Sequence, residues 1–205
     1  MNPRKLQREF IKASRLLKVN ADVVYEFGSC RVYDDDLREL FPNSKYTGCD
    51  IQAGPGVDEI KNVMDIKLCG GSADMILCMS TLEHVPEPIR AVHQMYRVLK
   101  EPGIMLISSV FDFRIHAHPD DYWRFTPSAF KYIMKQFTAS RVYWEGPENK
   151  PRYLFGIGTK GINIPIMFQR KMDSIMYRHQ FDLWQKRWDF IPPIIRRGLY
   201  KLKGI

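Results

Sequence analysis

The chain has 205 residues, 45% of them hydrophobic and 13% aromatic, enough to fill the core of one ordinary domain with an appendage, and this excludes a disordered chain. Thirty-one lysines and arginines against 23 acids give a formal +8, a surplus that suits nucleic acid, an anionic membrane surface or a phosphorylated substrate, depending on where it lies. Residues 1–20 carry six basic side chains and one acid, residues 170–205 carry nine and three, and the stretch between is left with sixteen against nineteen. A mildly acidic middle therefore sits between two basic flanks. It supplies no basic groove for a phosphate backbone, so nucleic acid is not the expected partner.

The chain divides into an N-terminal amphipathic helix (1–20), a central domain (21–160) and a basic helical extension (161–205). In the first segment Leu6, Phe10, Ala13 and Leu17 recur at helical spacing, with Arg4, Lys5, Arg8, Lys12, Arg15 and Lys18 at other angles. Gln7, Glu9 and Ser14 interrupt it, so it does not read as a signal peptide. Val23–Phe27 and Tyr46–Ile51 are β-prone, and only a short helix, from about Asp34 to Phe41, fits between them before Pro42-Asn43. Further strands are expected at Glu59–Val63, Met75–Met79 and Ile104–Phe111, with a helix from Glu87 to Lys100 that has Pro88 in its first turn and Pro102-Gly103 beyond its end. Strands alternating with helices predict a doubly wound parallel sheet covered on both faces. The rhythm then changes. Ser128–Phe137 reads as a helix, and Arg141–Glu145 with Arg152–Gly158 as an antiparallel pair that finishes one edge of the sheet.

Cys30, Cys49, Cys69 and Cys78 form no CxxC pair and have no histidine at zinc-finger spacing, which fits a reduced, cytoplasmic compartment. The longest nearly apolar run, Gly103–Phe111, is about half of the roughly 20 residues a membrane-spanning helix needs.

In open parallel sheets ligands bind beyond the carboxyl ends of the strands. The first such turn reads Glu26-Phe27-Gly28-Ser29-Cys30-Arg31-Val32-Tyr33. A dinucleotide fingerprint wants glycines at 28, 30 and 33; with Cys30 and Tyr33 in two of those places, NAD and FAD are poor fits. Asp50, at the end of the second strand, could accept hydrogen bonds from both hydroxyls of a ribose, although an ordinary strand-end acid would look the same.

The chain resembles the class I S-adenosylmethionine-dependent methyltransferases, particularly a small bacterial type often found with glycan and lipid biosynthesis. The resemblance spans about residues 21–160. It rests on Glu26-x-Gly28, on Asp50 in Gly48-Cys49-Asp50-Ile51, on Gly54-Pro55-Gly56-Val57-Asp58 and on Leu82-Glu83-His84-Val85. Arg97-Val98-Leu99-Lys100-x-Pro102-Gly103 and Asp121-Tyr122-Trp123-Arg124-Phe125-Thr126 complete it. It implies a Rossmann-like, mostly parallel seven-stranded sheet with an antiparallel edge strand, and S-adenosylmethionine as cofactor. By the same resemblance Glu26, Gly28, Ser29 and Cys30 would face the methionine part of the cofactor and Asp50 its ribose. Ile51 would lie against the adenine, Asn62 and Val63 or Asp65 would meet the adenine edge, and Cys78 and Met79 with Ser80 would offer carbonyls to the amino group. Cys30 and Val32 occupy the family's second and third glycine positions, and Asn62 stands where an aspartate is common. The implied acceptor is a small molecule, a glycan or a lipid-linked sugar; the alternatives are a cofactor-binding protein of the same fold without turnover, which Cys30 and Val32 would suit, and an RNA methyltransferase.

His84 is a candidate general base toward an acceptor hydroxyl, and equally a candidate for a helix-capping role before Val85-Pro86. His116, Tyr122 and Arg124 are candidates for handling substrate, whereas Trp123 and Phe125 are expected as wall or core. No metal is expected. Ser80 stands where metal-binding relatives carry a further carboxylate, and the stretch His116-Ala117-His118-Pro119-Asp120-Asp121 reads as an exposed loop without an additional ligand. In the extension, Met172, Ile175, Met176, His179, Leu183, Trp184 and Trp188 predict a helix broken by Pro192-Pro193, followed by a face of Ile194, Ile195, Leu199 and Leu202 opposite Arg196, Arg197, Lys201 and Lys203. That end suits either packing over the domain with a solvated basic face or peripheral contact with an anionic membrane.

Overall fold

The computed structural model describes residues 3–32, 35–116 and 119–189, with side chains from Arg4 to Gln180. Tyr33, His118, the side chains of Leu183, Trp184 and Trp188, and the Ile194–Lys203 face lie outside the described residues. Seven strands form one sheet: β1 (Val23–Phe27), β2 (Lys45–Asp50), β3 (Glu59–Ile60), β4 (Ala73–Met79), β5 (Leu99–Val110), β6 (Ala139–Glu145) and β7 (Tyr153–Lys160). Their order is β3-β2-β1-β4-β5-β7-β6. β1 to β5 pair in parallel, and β7 runs antiparallel to both β5 and β6. This is the mostly parallel, Rossmann-like seven-stranded sheet that the family resemblance implied. The strand opposed to its neighbours is β7, and β6 beyond it forms the outer edge.

Alternating residues feed two cores. On one face Val24, Met75, Leu77, Ile104, Leu106, Phe155 and Ile157 meet α1 (Pro3–Ser14) and α4 (Ile166–Asp189). The Phe10 ring lies edge-on to Phe155 at 5.5 Å and 6.4 Å from Phe168, so the two terminal helices share one apolar seam over the sheet. Met172, Ile175, Met176 and His179 on α4 are buried. The basic flanks thus belong in part to helices packed on the domain. On the other face Tyr25, Phe27, Ile76, Met105 and Ile107 meet α2 (Pro88–Val98) and α3 (Pro127–Ile133).

Three expected elements differ. The helix at Asp34–Phe41 is a single 3-10 turn, Leu37–Leu40, in which the Asp36 carboxylate accepts the Arg38 N–H; Pro42 follows too soon for an α-turn to propagate. The strand at Glu59–Val63 is two residues long, because Asn62 Oδ1 accepts the Met64 N–H and turns the chain away from β2. β5 starts at Leu99, where helix was expected to run to Lys100; Leu99 leaves α2 with extended backbone and pairs with Ala73 of β4.

Candidate functional site

Strand order reverses beside β1, with β2 on one side and β4 on the other, which opens a crevice at their carboxyl ends. A cleft of about 350 Å³ occupies it. Three turns form its floor. Gly28 leaves β1 at φ +84°, and a Cβ there would lie 1.9 Å from Thr81 Oγ1, so only glycine lets this turn close on the loop after β4. At the end of β2 the Asp50 carboxylate accepts N–H bonds from Cys30 (3.1 Å) and Gln52 (3.3 Å), which orient it beside Gly28. Ser80, at φ +52°, turns the chain out of β4. The Gly54–Asp58 segment clamps the first two turns from behind: Arg31 N–H donates to Pro55 O (2.8 Å), and Gly48 and Asp58 bond reciprocally, Gly48 N–H to the Asp58 carboxylate and Asp58 N–H to Gly48 O.

Of the residues named from the sequence, Gly28, Cys30, Asp50, Ile51, Asn62, Val63, Met79, His84, His116 and Tyr122 line the cleft, whereas Glu26, Ser29, Asp65, Cys78 and Arg124 are not among its lining residues. Glu26 points into the fold, where its carboxylate accepts the Tyr46 hydroxyl at 2.5 Å, and burial raises its pKa to about 7 despite that bond. Cys78 is fully buried, and burial holds its thiol protonated. Ser29 is buried against Gly48 and Gly56, Asp65 pairs with Lys67 on the surface, and Arg124 is committed to its own loop. Its guanidinium grips both oxygens of Asp121 (2.5 and 2.7 Å) and donates to the carbonyls of Phe113 and Arg114. Those Arg124 bonds hold the Asp121 carboxyl well below the usual carboxylate range.

The far end of the cleft has a different character. His84, at the end of the turn Leu82–His84, points Nδ1 at the Asp120 carbonyl, 2.5 Å away. A carbonyl only accepts, so Nδ1 carries a proton. His116 meets His84 edge-on at 4.8 Å and is held by Asp121 Oδ2, which takes its backbone N–H at 2.8 Å and faces its Nδ1 at 3.1 Å. Glu83 is fully buried beneath them; burial raises its carboxyl to about 7, and Ser109 donates to it at 2.6 Å. Tyr122, half exposed, donates to the Asp120 carboxylate at 3.1 Å.

Several lining residues were not signalled by the sequence. Arg4 and Gln7 reach the cleft from α1, Lys61 and Met64 from the turn after β3, and Phe113 and Tyr153 from the β5–β7 side. Gln7 is buried and donates to Ser80 Oγ (2.9 Å) and Ser108 Oγ (3.1 Å), a role that a glutamine within a surface-type helix pattern does not announce.

Residues 34–107 match a family described as "Methyltransferase domain". That match and the strand order together support a class I S-adenosylmethionine-dependent methyltransferase. Solved structures share this fold. The 1,6-didemethyltoxoflavin-N1-methyltransferase of Burkholderia thailandensis, which was solved with 1,6-didemethyltoxoflavin and S-adenosylhomocysteine bound, is 19% identical with a TM-score of 0.58, over 77% of this chain and 78% of that one. A SAM-dependent methyltransferase from Archaeoglobus fulgidus is 14% identical at TM-score 0.56, over 75% and 94%. The [4+2]-cyclase SpnF is 12% identical at TM-score 0.55, over 77% and 82%, so the same fold also serves other chemistry. No curated protein matches the chain. The residues in the cleft fit S-adenosylmethionine: an oriented carboxylate at Asp50 suits a diol, the exposed Ile51 offers an apolar face to an aromatic base, and Gly28 keeps the β1 turn against the β4 loop. The family match supports the same cofactor.

Proposed function

We propose that the protein methylates a small-molecule, glycan or lipid-linked acceptor at the imidazole and tyrosine end of the cleft. The observation that carries this reading is the continuity of one cavity from Asp50 and Ile51 to His84, His116 and Tyr122. When bound, the cofactor supplies a methyl on a positively charged sulfur, and its C–S bond breaks with the electron pair remaining on sulfur. Asp50 takes the ribose hydroxyls with an orientation already set by Cys30 and Gln52. Ile51, Val63 and Met64 shield the base, and the turn at Ser80 with Gln7 beneath it bounds the methionine end. Alignment of nucleophile and leaving group in such a cavity contributes roughly 7–11 kcal/mol in model systems, so a positioning site needs no nucleophilic triad. An acceptor hydroxyl at the corner formed by Glu83, His84 and His116 would pass its proton to water as its oxygen forms the new bond to carbon.

Among the described residues, the cationic side chains lining the cleft are Arg4 and Lys61, a pattern that favours a compact acceptor over a polynucleotide track. The test is methyl-labelled cofactor incubated with three acceptor pools: free small molecules, glycans and lipid-linked sugars. Labelled product from one pool is expected, and it should be lost in Asp50→Ala. Transfer to RNA alone, or cofactor binding without transfer to any pool, would contradict the proposal.

A further inference from the structure

Glu83, His84 and His116 offer one carboxylate oxygen and two imidazole nitrogens, all within 4.8 Å of one another, at the acceptor end of the cleft. Two further features point to a ligand. Glu83 is fully buried and, although Ser109 holds one of its oxygens, the other has no hydrogen-bond partner. A buried carboxylate oxygen left without a partner is costly, and a cation is one way to satisfy it. Each histidine also has its Nδ1 against an oxygen, His84 against the Asp120 carbonyl at 2.5 Å and His116 against the Asp121 carboxylate at 3.1 Å. Metal-binding histidines are held in this way, because an acceptor on one ring nitrogen fixes the tautomer and presents the other nitrogen to the ion. Asp121 is in turn clamped by Arg124, so the support extends one residue further from the cleft.

We propose that Glu83, His84 and His116 bind a divalent first-row transition metal ion whose remaining coordination positions face the cleft and take an oxygen of the acceptor. The expectation of no metal rested on Ser80 and on the loop after Ile115 taken separately. Folding brings that loop over the Glu83–His84 turn, where Tyr122 and Trp123 N–H both donate to Glu83 O, and it supplies a ligand that no sequence spacing joins to the other two. Two nitrogens and one oxygen suit zinc, cobalt, iron or manganese, whereas magnesium and calcium prefer oxygen donors throughout. Metal–ligand bonds of about 2.0–2.2 Å require the donor atoms to draw together, and rotation of the two imidazoles supplies that movement while Glu83 remains anchored by Ser109. The ion would hold the acceptor oxygen and lower its pKa, which makes His84 and His116 ligands and releases the acceptor proton to water.

This inference rests on the proposed methyl transfer for its purpose but not for its test. Tag-free full-length protein carrying Cys69→Ser, which removes the exposed thiol, is titrated calorimetrically with zinc and with cobalt, and separately with S-adenosylmethionine. One equivalent of metal should bind, and His116→Ala and Glu83→Gln should each weaken binding at least tenfold, while His93→Ala on the exposed side of α2 should leave it unchanged. Absence of saturable one-equivalent binding, or an unchanged affinity in His116→Ala, overturns the site. His116 lies on a partly exposed loop, so its variant carries the test even where Glu83→Gln fails to fold. Cofactor binding without metal binding removes the metal and leaves the methyltransferase reading, and metal binding without cofactor binding does the reverse.

Discussion

At Gly28 the chain leaves β1 with φ +84°, and Thr81 fills the space a side chain would need. Gly28→Ala should therefore destabilise the protein by at least about 1–3 kcal/mol from backbone strain alone, read as a lower urea midpoint, together with weaker cofactor binding. Two residues earlier, Glu26 makes a different prediction. Its carboxyl titrates near 7 in the fold against an ordinary value of 4.5. The native state keeps a proton that the unfolded chain releases, so its contribution to stability is fully present below about pH 4.5 and is lost as pH rises toward about 7. Glu26→Gln, which still accepts from Tyr46, should match the parent near pH 4 and exceed it at pH 8 by roughly 1–3 kcal/mol in chemical denaturation. A variant less stable at both pH values would contradict this. At this scale the places of Asp50 and Gly28 in the cleft were legible because each stands at or just after a strand end, and that of His84 because it lies in the turn that follows β4. Glu26 was expected at the cofactor but meets Tyr46 instead, since period-two alternation gives a side chain its face but not which buried hydroxyl it meets. Gln7 and Arg4 were hidden because their place in the cleft depends on how α1 docks.

Strands β1, β4 and β5 were legible as continuous apolar runs, and α2 from its proline start. The turn at Leu37–Leu40 and the two-residue β3 were not, because single side-chain bonds from Asp36 and Asn62 decide those segments locally. The terminal helices carried amphipathic patterns whose partner could not be read from one helix at a time. In the fold α1 and α4 cover each other and the same sheet face, through Phe10, Phe155 and Phe168. Phe168→Ala should cost on the order of 3–5 kcal/mol, and Phe10→Ala a similar amount. The double variant should cost less than their sum, because the two rings share one packing site; additive losses in urea unfolding would separate the helices energetically. On the opposite face, Thr126 Oγ1 accepts the Ala129 N–H at the start of α3, and Thr126→Ala should cost about 1 kcal/mol.

For the molecule as a whole, the basic flanks carry part of the docking. Arg8 of α1 pairs with Asp35 and, at 2.9 Å, with Glu39, and Arg15 donates to Leu40 O at 2.8 Å, so cationic side chains tie the helix to the segment between β1 and β2. No helix among the described residues is long and apolar enough to cross a membrane. The described residues lining the cleft run from Arg4 to Tyr153. Removal from residue 161 onward takes away α4, uncovers Phe10 and Phe155, and should yield an unstable protein with a lower urea midpoint. The most direct test of the site is calorimetric titration of the full chain with S-adenosylmethionine and S-adenosylhomocysteine, in parallel with Asp50→Ala. One site per chain is expected, with affinity reduced at least tenfold in the variant; no heat at millimolar cofactor, or equal affinity in Asp50→Ala, would contradict the assignment of this cleft.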